Sequence, residues 1–133
     1  MPVTVAWDND DHTTICINLI HPWGWVDYDT GIAQVYGLMN SVEHTVNVIS
    51  NIPQGTSFPM GNVLLHFRHT TESLPENIGQ IVVSGGNLAA NIVIAIFGRA
   101  YSALGSRLAF ANNLEEARTL LTNLAPPNNS EDN

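Results

Sequence analysis

Short apolar runs break at small or turn-forming residues and give way to helix-period stripes three times along this chain, at Val46 to Ile49, Ile81 to Val83 and Leu108 to Phe110. That rhythm predicts an α/β domain. Ahead of it, Pro2 to Trp7 alternates as a strand, Asp8-Asn9-Asp10-Asp11 is turn-forming, and Thr13 to Ile20 reads as the second arm of an antiparallel hairpin. His21 to Asp27 then forms an aromatic loop. From Tyr28 onward Tyr28, Ile32, Val35, Met39 and Val42 recur at helical spacing, with Asp27 as the expected N-cap.

The remaining elements follow in the same way. Thr45 to Ile49 is a short buried strand, Ser50 to Phe58 a loop, and Met60, Val63, Leu64 and Phe67 mark a second helix with Pro59 in its first turn. Gln80 to Ser84 is a strand, and Gly85-Gly86-Asn87 turns into a long helix from about Leu88 to Leu104, closed by Gly105. Arg107 to Ala111 is the last strand. Asn113 with Glu116 opens a final helix carrying Leu114, Ala117, Leu121 and Leu124, which Pro126-Pro127 stops. The expected architecture is one domain over residues 1–125, a mixed five-stranded sheet with about four helices, and a disordered acidic tail over 126–133.

Composition narrows the functions. The chain has no lysine, only Arg68, Arg99, Arg107 and Arg118, against twelve acidic residues and a net charge of -8. Nucleic acid and an anionic membrane surface both need clustered cations, so neither is an expected partner. No apolar run reaches membrane-spanning length and no signal-like amino terminus is present, so the expected location is cytoplasmic. The lone Cys16 is expected to be a buried strand thiol.

Candidate chemistry is sparse. Ser84-Gly85-Gly86-Asn87 follows a strand and opens a helix, but matches no phosphate or dinucleotide fingerprint, and no cofactor is expected. His66 and His69 sit three apart on the second helix and are read as surface residues before metal ligands. No nucleophile elbow or paired carboxylates point to catalysis, and the chain is expected not to be an enzyme.

The order hairpin, helix, strand, helix, strand, helix, strand, helix is similar to the STAS fold of anti-sigma-factor antagonists and their SpoIIAA-like relatives. The likeness rests on Trp23-Gly24-Trp25-x-Asp27 before the first helix, on Ile81-Val82-Val83 leading through Gly-Gly-Asn into an apolar helix, and on Phe110 to Ala117 at the end. It implies helices largely on one sheet face and a phosphoregulated serine at the loop after the third strand. The chain lacks the family's Asp-Ser-Ser-Gly-like motif there; the nearest hydroxyls are Thr56 and Ser57, the phosphoacceptor candidates, with capping as Ser57's other reading.

Between Ile92 and Phe97 apolar side chains occupy every direction around the expected helix, more than one stripe against a sheet requires. Ile92, Ile94, Ala95, Phe97 and Tyr101 are therefore the interface candidates, with extra burial inside the same domain as the other reading, and Trp23, Trp25 and Phe58 as extensions of that surface. The first expectation is a non-enzymatic, STAS-like interaction module that docks this helix on a protein partner or on a second copy as a homodimer. The second is a carrier of a small apolar ligand or lipid in a pocket between that helix and the sheet. An enzyme of unrecognised type is the third.

Overall fold

A computed structural model describes residues 3–20, 22–53, 63–85, 94–95, 98–99 and 105–124. Five strands, β1 (Val3–Trp7), β2 (Thr14–Leu19), β3 (Val46–Ile52), β4 (Ile78–Gly85) and β5 (Leu108–Ala111), lie side by side in chain order. The hairpin pair β1 and β2 is antiparallel and every later neighbour is parallel, so the sheet is mixed. The described helices are α1 (Trp25–Asn40), α2 (Val63–Glu72) and α3 (Leu114–Leu124). Of the expected Leu88 to Leu104 helix, Ile94, Ala95, Gly98 and Arg99 are described and helical. The acidic tail lies outside the described residues.

Strand order and handedness decide where the helices go. Each parallel step from β2 to β3 and from β3 to β4 moves the same way across the sheet, and right-handed crossovers then put α1 and α2 on one face. The step from β4 to β5 continues in that direction, and Ile94 from this connection belongs to the same core as α1. Helix α3 follows the last strand, free of any crossover constraint. Its Ala117 and Leu121 pack on Cys16, Ile49, Val82 and Ala111, so the sheet is covered on both faces rather than largely on one.

Strand alternation divides the side chains between these two cores. Ile15, Ile17 and Leu19 of β2, Val48 and Ile52 of β3, and Ile81 and Val83 of β4 face α1, whereas Cys16, Ile49 and Val82 face α3. Gly31 brings α1 close: a β-carbon there would sit 2.6 Å from Val3 Cγ1 and 3.0 Å from Ile17 Cδ1. At the other end of α1, the Asn77 side-chain amide donates to the carbonyls of Met39 (2.9 Å) and His44 (3.0 Å), fastening the helix terminus to the start of β4.

Local chemistry accounts for most boundaries. In the hairpin turn, Asn9 Oδ1 accepts from the backbone N–H groups of Thr13 (3.0 Å) and Thr14 (3.2 Å), while His12 takes a positive φ of 56° and stacks on Trp7 at 4.4 Å. Helix α3 opens as expected: Asn113 Oδ1 accepts from Glu116 N (2.8 Å) and the Glu116 carboxylate reaches back to Asn112 N (3.0 Å).

Two boundaries differ from expectation by three residues. Helix α1 begins at Trp25, not Tyr28, with Gly24 as N-cap; Asp27 stands inside the first turn, its Oδ2 accepting from Gly24 N at 2.9 Å. Trp25 lies three residues before Tyr28 and so extends the same apolar stripe. Strand β3 runs on from Ile49 to Ile52, carrying Ser50 and Asn51 into the sheet. Pairing explains the extension: Ser50 stands opposite Ile17 and Val83, and Asn51 opposite Asn18 and Ser84.

Candidate ligand-binding cavity

Asn51 finds partners on its own face. Its side-chain amide donates to Asn18 Oδ1 and its Oδ1 accepts from the Ser84 hydroxyl, both at 2.8 Å, making a polar ladder across β2, β3 and β4. Ser84 is 0 % exposed, so this ladder supplies the partner a buried hydroxyl requires. One residue earlier, Ser50 points to the opposite face, into the row Ile17, Ser50, Val83. No side chain in that row offers it a hydrogen bond, and the half-buried hydroxyl has no side-chain partner among the described residues.

Ser50 forms part of the floor of a cavity of about 80 Å³ between the sheet and helices α1 and α2. Val48, Ile81 and Val83 complete the floor, Tyr28, Ile32 and Val35 of α1 form the roof, and Ile94 closes one side. Among the described residues no charged side chain lines it. The volume is about half of the roughly 150 Å³ of an engineered cavity that binds benzene.

The α1–α2 wall of this cavity is held by hydroxyl groups. Thr70 donates to its own helix at His66 O (2.9 Å), so the Tyr28 hydroxyl is the donor in its 2.9 Å bond to Thr70 Oγ1. The Tyr36 hydroxyl donates to Thr70 O at 2.5 Å. Both phenols lie in low-dielectric surroundings: burial pushes Tyr28 up to about 12, and burial followed by the proximity of Tyr28 pushes Tyr36 up as well.

Outside that wall, aromatic rings lock the two helices together. His66 of α2 stacks on Trp25 of α1 with centroids 4.6 Å apart and planes at 4°, and Trp25 meets Trp23 and Tyr28 edge-on. The His66 Nδ1 lies 2.9 Å from the Asp29 carboxylate. An ionised carboxylate only accepts, so Nδ1 carries the hydrogen and Asp29 fixes the tautomer and plane of the ring.

The residues singled out from sequence are placed as follows. Ile94 is 7 % exposed and sits in the core with α1 and the sheet, so its assignment to an interface is corrected: within a single chain it is interior. Ala95 is half-buried, and Ile92, Phe97 and Tyr101 lie outside the described residues, as do Thr56, Ser57 and Phe58. Trp23 and Trp25 are core aromatics, 7 % and 9 % exposed. His66 and His69 meet ring to ring at 6.5 Å, and the described residues contain no group of three or more metal-ligating side chains. Cys16 is buried on the α3 face, where burial first and Asp8 second push its thiol up to about 11. Gly85 ends β4 at a φ of +80°, its α-carbon so close to the Ile52 carbonyl that a β-carbon would collide with it. No described helix is long and apolar enough to cross a membrane.

Ser50, Tyr28, Tyr36 and Thr70 carry no local signal in the sequence that groups them as a set. No family model, no curated protein and no solved structure matches the chain, so its function rests on its own geometry.

Proposed function

We propose that this chain is a non-enzymatic binding protein that holds a small apolar molecule between its sheet and helices α1 and α2. The observation that carries the reading is the cavity itself: a space of about 80 Å³ in the main core, walled almost wholly by carbon, with no charged side chain among the described residues that line it. Protein interiors are close-packed, and an apolar void leaves its lining without dispersion contacts that a fitting apolar molecule restores. The ligand class follows from the lining.

Methyl NMR with benzene and n-pentane as probes tests this reading. Binding is expected to move the methyl signals of Val48, Ile81, Val83 and Ile94, and a Val83→Phe variant that fills the space is expected to abolish the shifts. Probe shifts scattered over the surface and unaffected by Val83→Phe would overturn it.

A second reading, the STAS-like interaction module, draws on exposed apolar side chains beside the Trp25–His66 stack. Val26 of α1 is 80 % exposed and Leu65 of α2 is 44 % exposed. This reading predicts concentration-dependent association that a Val26→Glu variant loses while keeping its fold. A wild-type chain that stays monomeric at millimolar concentration would count against it.

A further inference from the structure

We infer that the ligand of this cavity is electrically neutral and carries one hydrogen-bond acceptor, a carbonyl or hydroxyl oxygen, that the Ser50 hydroxyl binds. The inference rests on the reading of the cavity as a binding site and adds the chemistry that selects among apolar molecules.

Neutrality follows from the lining and its surroundings. Among the described residues no cation lines the cavity, so a carboxylate or phosphate entering it would lose its hydration without gaining a partner from them. The two phenols in the wall show the same preference, since their anionic forms are disfavoured by burial. The chain's net charge of -8 opposes an anion further, and among the described residues no carboxylate lines the cavity to receive an ammonium group.

The choice of an acceptor follows from counting hydroxyl hydrogens. Among the described residues four hydroxyl-bearing side chains line the cavity, those of Tyr28, Ser50, Tyr36 and Thr70. Thr70 gives its hydrogen to His66 O, Tyr28 gives its hydrogen to Thr70 Oγ1, and Tyr36 gives its hydrogen to Thr70 O. Ser50 alone among the four keeps an uncommitted O–H, and strand alternation aims it at the cavity between Ile17 and Val83. A ligand oxygen placed over this half-buried hydroxyl gives it an acceptor that no described side chain supplies.

Four five-carbon compounds of similar shape separate these requirements: n-pentane, 2-pentanone, 1-pentanol and pentanoate, each titrated by methyl NMR against the wild type and Ser50→Ala. The ketone and the alcohol are expected to bind the wild type at least tenfold more tightly than pentanoate. Ser50→Ala is expected to weaken the ketone and alcohol roughly three- to tenfold, the span of one ordinary hydrogen bond, and to leave pentane unchanged. Pentanoate binding as tightly as the ketone would overturn the inference, and so would a ketone indifferent to Ser50→Ala. In both of those cases pentane still binds and the cavity remains a binding site. If none of the four reaches the cavity methyls, the binding-site reading falls and this inference with it.

Discussion

Helix α1 carries two glycines that face opposite surroundings, and the same substitution at each is expected to have opposite effects. At Gly37 a new β-carbon meets nothing within 4 Å, whereas at Gly31 it meets Val3 Cγ1 at 2.6 Å and Ile17 Cδ1 at 3.0 Å. Alanine in a helix interior gains about 1 kcal/mol over glycine, so Gly37→Ala is expected to stabilise the chain by about that much. Gly31→Ala has the same propensity gain, but forcing a methyl into a packed contact costs roughly 1–3 kcal/mol. The Ile17 methyl is the end of a flexible side chain and can swing; Val3 is β-branched and stiff. The net effect is a loss of about 0–2 kcal/mol at Gly31, and a difference between the two variants of roughly 1–3 kcal/mol. Urea unfolding followed by circular dichroism reads both values. The contact also bears on the site, because Tyr28, Ile32 and Val35 of the same helix roof the cavity. Gly31→Ala is therefore expected to alter benzene binding and Gly37→Ala to leave it as it is. If Gly31→Ala proves as stabilising as Gly37→Ala, the close seating of α1 on β1 and β2 is refuted.

Three further outcomes follow from burial. Ile94→Glu removes an interior side chain worth roughly 2–5 kcal/mol and leaves a carboxyl without a partner, which together approach a whole domain's stability of about 5–15 kcal/mol. Near-ultraviolet circular dichroism should show lost tertiary packing, and a native-like spectrum would place Ile94 on the surface. Asn51→Ala strips the Ser84 hydroxyl of its acceptor and is expected to cost about 1–3 kcal/mol in urea unfolding; a change below about 0.5 kcal/mol would show that the ladder is not a structural bond. The alkaline limb has a definite sign. Burial raises the folded values of Cys16 from 9.0 to about 11 and of Tyr28 from 10.0 to about 12, so the fold favours their protonated forms. Stability is expected to hold below about pH 9 and to fall as pH rises through about 11 and 12. A urea midpoint that stays level across that window would contradict the burial of both groups.

Most of the secondary structure was legible because it rests on period and capping. The hairpin, the stripe of α1 and the box that opens α3 are all local signals, and each is in place. Strand β3 was cut short because Ser50-Asn51 before Ile52-Pro53 has the composition of a turn. The period-two signal continues past it: Val46, Val48 and Ile52 are apolar at every second position but Ser50, and Pro53 marks the end of pairing better than Ser50 does. For Ile94 the sequence points to an interface because apolar residues on all sides of a helix exceed what one contact surface needs. Periodicity counts the faces of a helix and says nothing of what covers each one. The cavity had no sequence signal at all, since a void is a property of how many side chains meet, not of which ones are present.

The two neighbouring polar residues of β3 give the strongest internal comparison. Both lie at the centre of a sheet, and both cost free energy there unless they are hydrogen-bonded. For Asn51 the register provides Asn18 on one side and Ser84 on the other, a matched set that serves the fold. For Ser50 the register provides Ile17 and Val83, which offer nothing. An apolar residue of similar size at position 50 would be neutral or favourable for stability alone, and a residue that breaks a local rule without a structural return is expected at a functional position. The Ser50 hydroxyl, half-buried and without a side-chain partner among the described residues, lines the cavity, whereas the hydrogen-bonded polar row lies on the face that α3 covers. A requirement of folding would act on both faces alike, and a requirement of binding acts only where a ligand can reach.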